Sequence, residues 1–210
     1  SSKALADRLQ PQLELMSDTL QAARFDESSR IRDLVSQMRA RRDQGITGSG
    51  HALAMTAACA GMSPLAKRSH EQGGLEGIRK LRALDDVLKD EGELDAFAHS
   101  LTAIHQKLAG AGAPLFCTVA DDPNIESASE AAAQYAGALP TNSHDGIALE
   151  PVRATIREMW VTNTQVNFCA KAYPTVPSGH PDAPALSVLA AFLRNGFLHR
   201  TIREQGGAYG

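Results

Sequence analysis

Apolar residues recur three to four apart along most of this chain, and that spacing restricts its fold more than any other feature. Leu5, Leu9, Leu13, Met16, Leu20 and Ala23 form one stripe, and Ile31, Leu34, Val35 and Met38 a second. Leu94, Phe97, Leu101, Ile104 and Leu108 form a third. Residues at that spacing return to one face of a helix, so each stripe predicts an amphipathic helix with one buried side. The pattern gives helices over 3–23, near 27–43, and over 51–60, 75–88, 91–108 and 126–136. Pro11 predicts a kink in the first, because an interior proline removes a hydrogen bond and clashes with the preceding turn, at about 3 kcal/mol. Asp26 stands where it can cap the second helix, whose outer face carries Arg30, Arg32, Arg39, Arg41, Arg42 and Asp43 as a solvated charge run. Thr47-Gly-Ser-Gly50 and Gly73-Gly74 predict breaks. Aromatics are only 5% of a chain that is 43% hydrophobic, so the core must be built from Ala, Leu, Ile and Val.

Strand signals are fewer. Leu115-Phe-Cys-Thr-Val-Ala120 is a short apolar run with a β-branched bias, turned by Asp121-Asp122-Pro123-Asn124. Residues 154–161 and 165–173 predict a hairpin around Thr162-Asn-Thr164, the second arm alternating polar and apolar as a half-buried strand does. From Gly137 to Pro151 the composition shifts to Gly, Pro, Asn, Ser and Asp, which predicts a linker. The expected class is therefore α+β: a mostly helical domain over 1–138, a linker over 139–151 and a second α/β domain beginning at 152–210.

Several functions are disfavoured by the same reading. A net charge of −3 argues against a nucleic-acid footprint, and no apolar run is long enough to span a membrane. The opening Ser-Ser-Lys-Ala has neither an initiator Met nor a secretory pattern. Cys59, Cys117 and Cys169 are far apart and sit in apolar stretches, which predicts buried, reduced thiols. His70-Glu71 fails as a zinc motif because position 74 is Gly, and His99 and His105 lie on different helix faces. His51 reads as a helix-start residue and His180 as an exposed loop residue. Ser143-His144-Asp145 has the residue types of a hydrolase triad, but neighbours in sequence cannot form its chain of hydrogen bonds, so it reads as a turn.

The C-terminal stretch combines charge, aromatic and glycine. Leu186, Leu189, Leu193, Phe197 and Leu198 predict a helix, interrupted at Asn195-Gly196, that delivers Arg203 near its C-terminus. Gly206-Gly207 should stop it, since glycine accepts the left-handed conformation needed just past a last turn. Tyr209 follows Arg203 by six residues. On spacing alone, a cation favoured by the helix dipole beside a packing tyrosine stands next to a functional pair.

The run Leu198-His-Arg-Thr-Ile-Arg-Glu-Gln-Gly-Gly-Ala-Tyr-Gly210 resembles the Arg…Gly-Gly-Ala-Tyr-Gly segment of presequence-protease-like peptidases. These belong to the pitrilysin/insulinase family of zinc metalloendopeptidases. Ser49-Gly-His-Ala-Leu-Ala-Met, Ala-Gly-Met-Ser-Pro64 and Gly73-Gly-Leu-Glu-Gly-Ile are similar to that subfamily's Ser-Gly-His and Gly-Gly-Leu stretches in the same order. The resemblance covers nearly the whole chain. It implies an interior piece of the C-terminal half of a longer protease: the end of one pitrilysin-like α/β domain and the start of the next. It implies unfolded peptides as substrates, and the N-terminal catalytic half of the same polypeptide as partner. Zinc would be bound outside this chain, because the family's His-x-x-Glu-His motif is absent here. By the same resemblance, Tyr209 would donate to the oxyanion formed when water attacks a peptide carbonyl, and Arg203 would hold the substrate backbone or that oxygen. The isolated chain is expected to bind no zinc and hydrolyse no peptide. An intracellular location follows: cytoplasmic, or mitochondrial or plastid in a eukaryote. The alternative is a non-catalytic structural or scaffolding relative that shares the fold without the metal.

Overall fold

Pro11 does not kink the first helix. In the computed structural model, which describes residues 2–109, 115–139 and 148–208, the chain enters through a 3-10 turn at Ala6–Arg8, and helix α1 begins at Leu9 and runs to Gln21. Pro11 thus falls in the first turn, where its missing N–H would have had no partner inside the helix anyway. Helix α2 spans Ser28–Gly48, and Asp26 does not cap it. Its carboxylate instead receives the Arg24 guanidinium, at 3.0 and 2.7 Å. The predicted break after Thr47 narrows to Ser49, because α3 spans Gly50–Cys59.

Helix α4, Pro64–Gly73, starts with two signals at once: the Ser63 hydroxyl accepts from Ala66 N–H at 3.1 Å, and Pro64 takes the first helical position. Gly74 ends α4 and opens α5, Leu75–Val87, which confirms the expected turn at Gly73-Gly74. Helix α6, Glu91–Ala109, is capped by Asp90, whose carboxylate accepts from Glu93 N–H at 3.0 Å. Helix α7 spans Ile125–Ala138.

The stripes meet only in part: Ile31, Val35, Leu94 and Phe97 turn inward as their spacing predicts, while Leu34, Met38, Ile104 and Leu108 stay exposed. Helices α2, α5 and α6 pack around Val35, Leu88 and Leu94, with Ile31, Leu81, Leu84 and Phe97 against that cluster. Leu88 is 1% exposed, and burying a leucine is worth about 1.5–3 kcal/mol. Helix α1 lies against α6 and α7, and α4 folds back on α5.

The charge run on α2 is not simply solvated. Arg39 donates to Asp85 at 2.7 Å and to Asp86 at 3.2 Å, Arg82 to Asp43 at 2.8 Å, and Arg42 to the Gly73 carbonyl at 3.2 Å. Polar groups therefore stitch α2 to α5 along the rim of the apolar seam.

No strand occurs among the described residues, so the helix-rich part of the expected α+β architecture is present and the strand part is not. Segments 115–120, 154–161 and 165–173 carry strand-type composition but no ladder. A strand exists only through a neighbour that completes its hydrogen bonds, and the hairpin around Thr162-Asn-Thr164 is absent. The chain divides into two units, residues 1–170 and 171–210. In the second, α8 at Ala183–Leu193 continues as a π-helical stretch, Arg194–Gln205. It contains no buried residue among those described, because one helix cannot cover its own apolar stripe.

Candidate functional site

The wider π-helical turn begins at Arg194, just before the expected interruption at Asn195-Gly196. A π-helix pairs residues five apart, and it brings His199 Nδ1 to 3.2 Å from Glu204 Oε1. Arg203 lies in the last turn, where a cation is favoured by the carbonyl end of the helix. The stop follows as the glycines foretold. Gly206 closes the helix, and Gly207 takes φ +68°, the left-handed conformation that a side chain disfavours. Gly207 N–H then reaches the Arg203 carbonyl at 3.1 Å, and Ala208 N–H the Ile202 carbonyl at 3.1 Å. These two bonds close the helix end. Arg203, Glu204, Gly207 and Ala208 line an open depression.

Tyr209 lies outside the described residues, as do Ser143-His144-Asp145 and most of the loop before Leu115. Of the two residues expected to act together, the geometry shows one.

Zinc, which the resemblance implies for the whole protease, was tested against the donors present. Among the described residues no three His, Cys, Asp or Glu side chains gather closely enough to hold a metal ion. The described residues do not fit the metal. Cys117 and Cys169 are exposed and Cys59 is partly so, which corrects the expectation of buried thiols. Both exposed cysteines sit on segments without regular secondary structure. No helix among the described residues is long and apolar enough to cross a membrane.

One constellation escaped the sequence reading. His70 is buried on α4, with its ring 6.0 Å from the Trp160 ring in an edge-on arrangement. Its Nε2 lies 3.8 Å from Glu158 Oε2, the same oxygen that accepts from Trp160 Nε1–H at 2.7 Å. Nδ1 is buried without a partner among the described residues. No apolar period on α4 could have turned His70 inward, since Lys67 to Gly73 are polar or glycine and Leu65 is exposed.

The N-terminal part of the chain is similar to a known family. Residues 1–84 match the family model described as Peptidase M16C associated. Over its whole length the chain is similar to presequence proteases, in line with the resemblance read from its motifs. It is 28% identical over 99% of its length to presequence protease 1, chloroplastic/mitochondrial, of Arabidopsis thaliana, covering 19% of that protein. It is 26% identical over 100% of its length to the mitochondrial presequence protease of Danio rerio, covering 23%. For the Yarrowia lipolytica mitochondrial presequence protease the figures are 28%, 99% and 21%. The chain thus spans about a fifth of the length of these relatives.

Proposed function

We propose that this chain is a section of the C-terminal half of a zinc metalloendopeptidase that degrades unfolded peptides. The observation that carries the reading is similarity to presequence proteases along the entire chain, helical unit and C-terminal motif alike. In this reading residues 1–138 complete one α/β domain and 152–210 begin the last. Segments 154–161 and 165–173 become strands once neighbouring chain supplies their ladder partners. Zinc and the general base belong to the N-terminal half.

The chemistry assigned to this chain is electrostatic. When a peptide carbonyl is attacked, negative charge collects on its oxygen, and a donor placed there beforehand lowers the barrier. The Tyr209 hydroxyl supplies that hydrogen bond. Arg203, on a helix end fixed by the Gly207 turn, offers forked donors to the substrate backbone or the same oxygen. The names of the relatives suggest presequences as substrates and a mitochondrial or plastid compartment. A non-catalytic scaffold remains the rival reading.

The full-length protein should cleave an unstructured peptide, lose that activity to a chelator and regain it with zinc, while the 210-residue chain alone cleaves nothing. A metal-free full-length protein without peptidase activity would establish the scaffold reading instead.

A further inference from the structure

Between the linker and residue 171 the chain makes little regular structure, yet three fixed points hold it against α3 and α4. At the first, Ala154 N–H reaches the Gly61 carbonyl at 2.9 Å. A Cβ on Gly61 would fall on the Ala154 carbonyl oxygen and meet Ile156 Cγ1 at 2.8 Å. At the second, a Cβ on Gly50 would overlap the Phe168 ring, whose Cζ is 2.7 Å from that position. The third is His70, edge-on to Trp160 and facing Glu158.

We infer that residues 154–168 form a strap, seated across α3 in notches made by Gly50 and Gly61 and latched to α4 by His70. A glycine at the first residue of α3 and another just past its end, each where a methyl group would strike the strap, are accounted for by that close approach. Gly45 and Gly48 on α2 make the contrast, since a Cβ there would meet nothing. The strap is detachable because it is no part of the main core. The Val35, Leu88 and Leu94 cluster and the side chains packed on it all lie within α2, α5, α6 and their ends. On the strap itself Met159 is 88% exposed. Lifting it opens two glycine notches and the His70 pocket and leaves the helical seam closed. The inference is made for the 210-residue chain and does not depend on the peptidase reading, in which the same segment would instead pair as strands.

Trp160 is the only tryptophan in the chain, so it reports on the strap directly. The test compares acrylamide quenching of Trp160 and far-ultraviolet circular dichroism in the 210-residue chain and in Gly61→Ala, Gly50→Ala, His70→Ala and Gly48→Ala. In the first three, the quenching constant should rise about twofold as the indole goes from 37% exposed to free, with the helical signal retained. Gly48→Ala should change neither. Unchanged quenching in both Gly61→Ala and His70→Ala would overturn the strap. Loss of helical signal in Gly61→Ala would also overturn it, by showing that the segment is integral to the core. A rise in Gly48→Ala equal to that in Gly61→Ala would overturn the assignment of the notches.

Discussion

Residues 28–109 and residues 183–205 are both largely helical and both striped with apolar side chains, yet only the first region buries any of its stripe. In the helical unit, Val35, Leu88 and Leu94 close on one another. In the C-terminal unit, Val188, Phe192 and Phe197 stand in the open, Phe197 at 65% exposure. The difference lies in the number of neighbours, because helical period fixes which face is apolar and cannot supply the surface that face needs. The first region has five helices, α2 to α6, three of which close on the Val35, Leu88 and Leu94 cluster. The second is one helix and its π-helical continuation, and it carries the residue assigned to chemistry. Its regular feature, the glycine stop after Arg203, is local and needs no neighbour.

The sharpest way to break this comparison is to truncate one leucine or phenylalanine on each side. Leu88→Ala should destabilise the isolated chain by about 2–5 kcal/mol in urea unfolding. Phe197→Ala, on the exposed stripe, should change it by less than about 0.5 kcal/mol. Equal effects would mean that the C-terminal helix has a core of its own.

A smaller effect should come from the polar rim between α2 and α5. The Ser36 hydroxyl and then the Arg39 guanidinium hold the Asp85 carboxyl below its usual range. Arg79 does the same for Glu76. A carboxylate depressed in the folded state contributes stability that is fully present above its unfolded value, about 4. That contribution is lost as pH falls through the lower folded value. Urea midpoints should therefore hold from neutral pH down to about 5 and then drop on further acidification. Asp85→Asn should cost about 1–3 kcal/mol at neutral pH and flatten part of that drop. An unchanged acid limb in Asp85→Asn would remove this carboxylate from the account.

Smallest of the three is the start of α4. Ser63→Ala removes the cap on Ala66 N–H and should cost about 1 kcal/mol. Thermal unfolding of the isolated chain would show it as a drop in Tm of a few degrees, and no drop would mean that Pro64 alone fixes the helix start.

The helices were legible in the sequence because their information is local. The stripes of α2 and α6, the turn at Gly73-Gly74 and the left-handed glycine after Arg203 all follow from period or from backbone freedom at one position. Segments 154–161 and 165–173 were readable as strand-like but not as strands, because pairing is decided by a neighbour. Arg39 and Asp43 looked like a solvent face, since nothing in α2 announces that Asp85 and Arg82 stand opposite. His70 was hidden for the same reason: its partners, Glu158 and Trp160, lie almost ninety residues further along the chain. Arg203 was found by motif, and the structure adds the helix end that fixes its backbone.

The central claim is that the C-terminal motif acts on the transition state of peptide cleavage. Steady-state kinetics of Tyr209→Phe in the full-length protein, on a fluorogenic peptide with zinc content measured in parallel, tests it most directly. The ring is kept, so packing and metal should survive. Because the oxyanion exists only in the transition state, kcat should fall by about 10²–10³ with KM little changed. A Tyr209→Phe enzyme with kcat within about threefold of the parent would make Tyr209 a packing residue and remove the catalytic role from this chain.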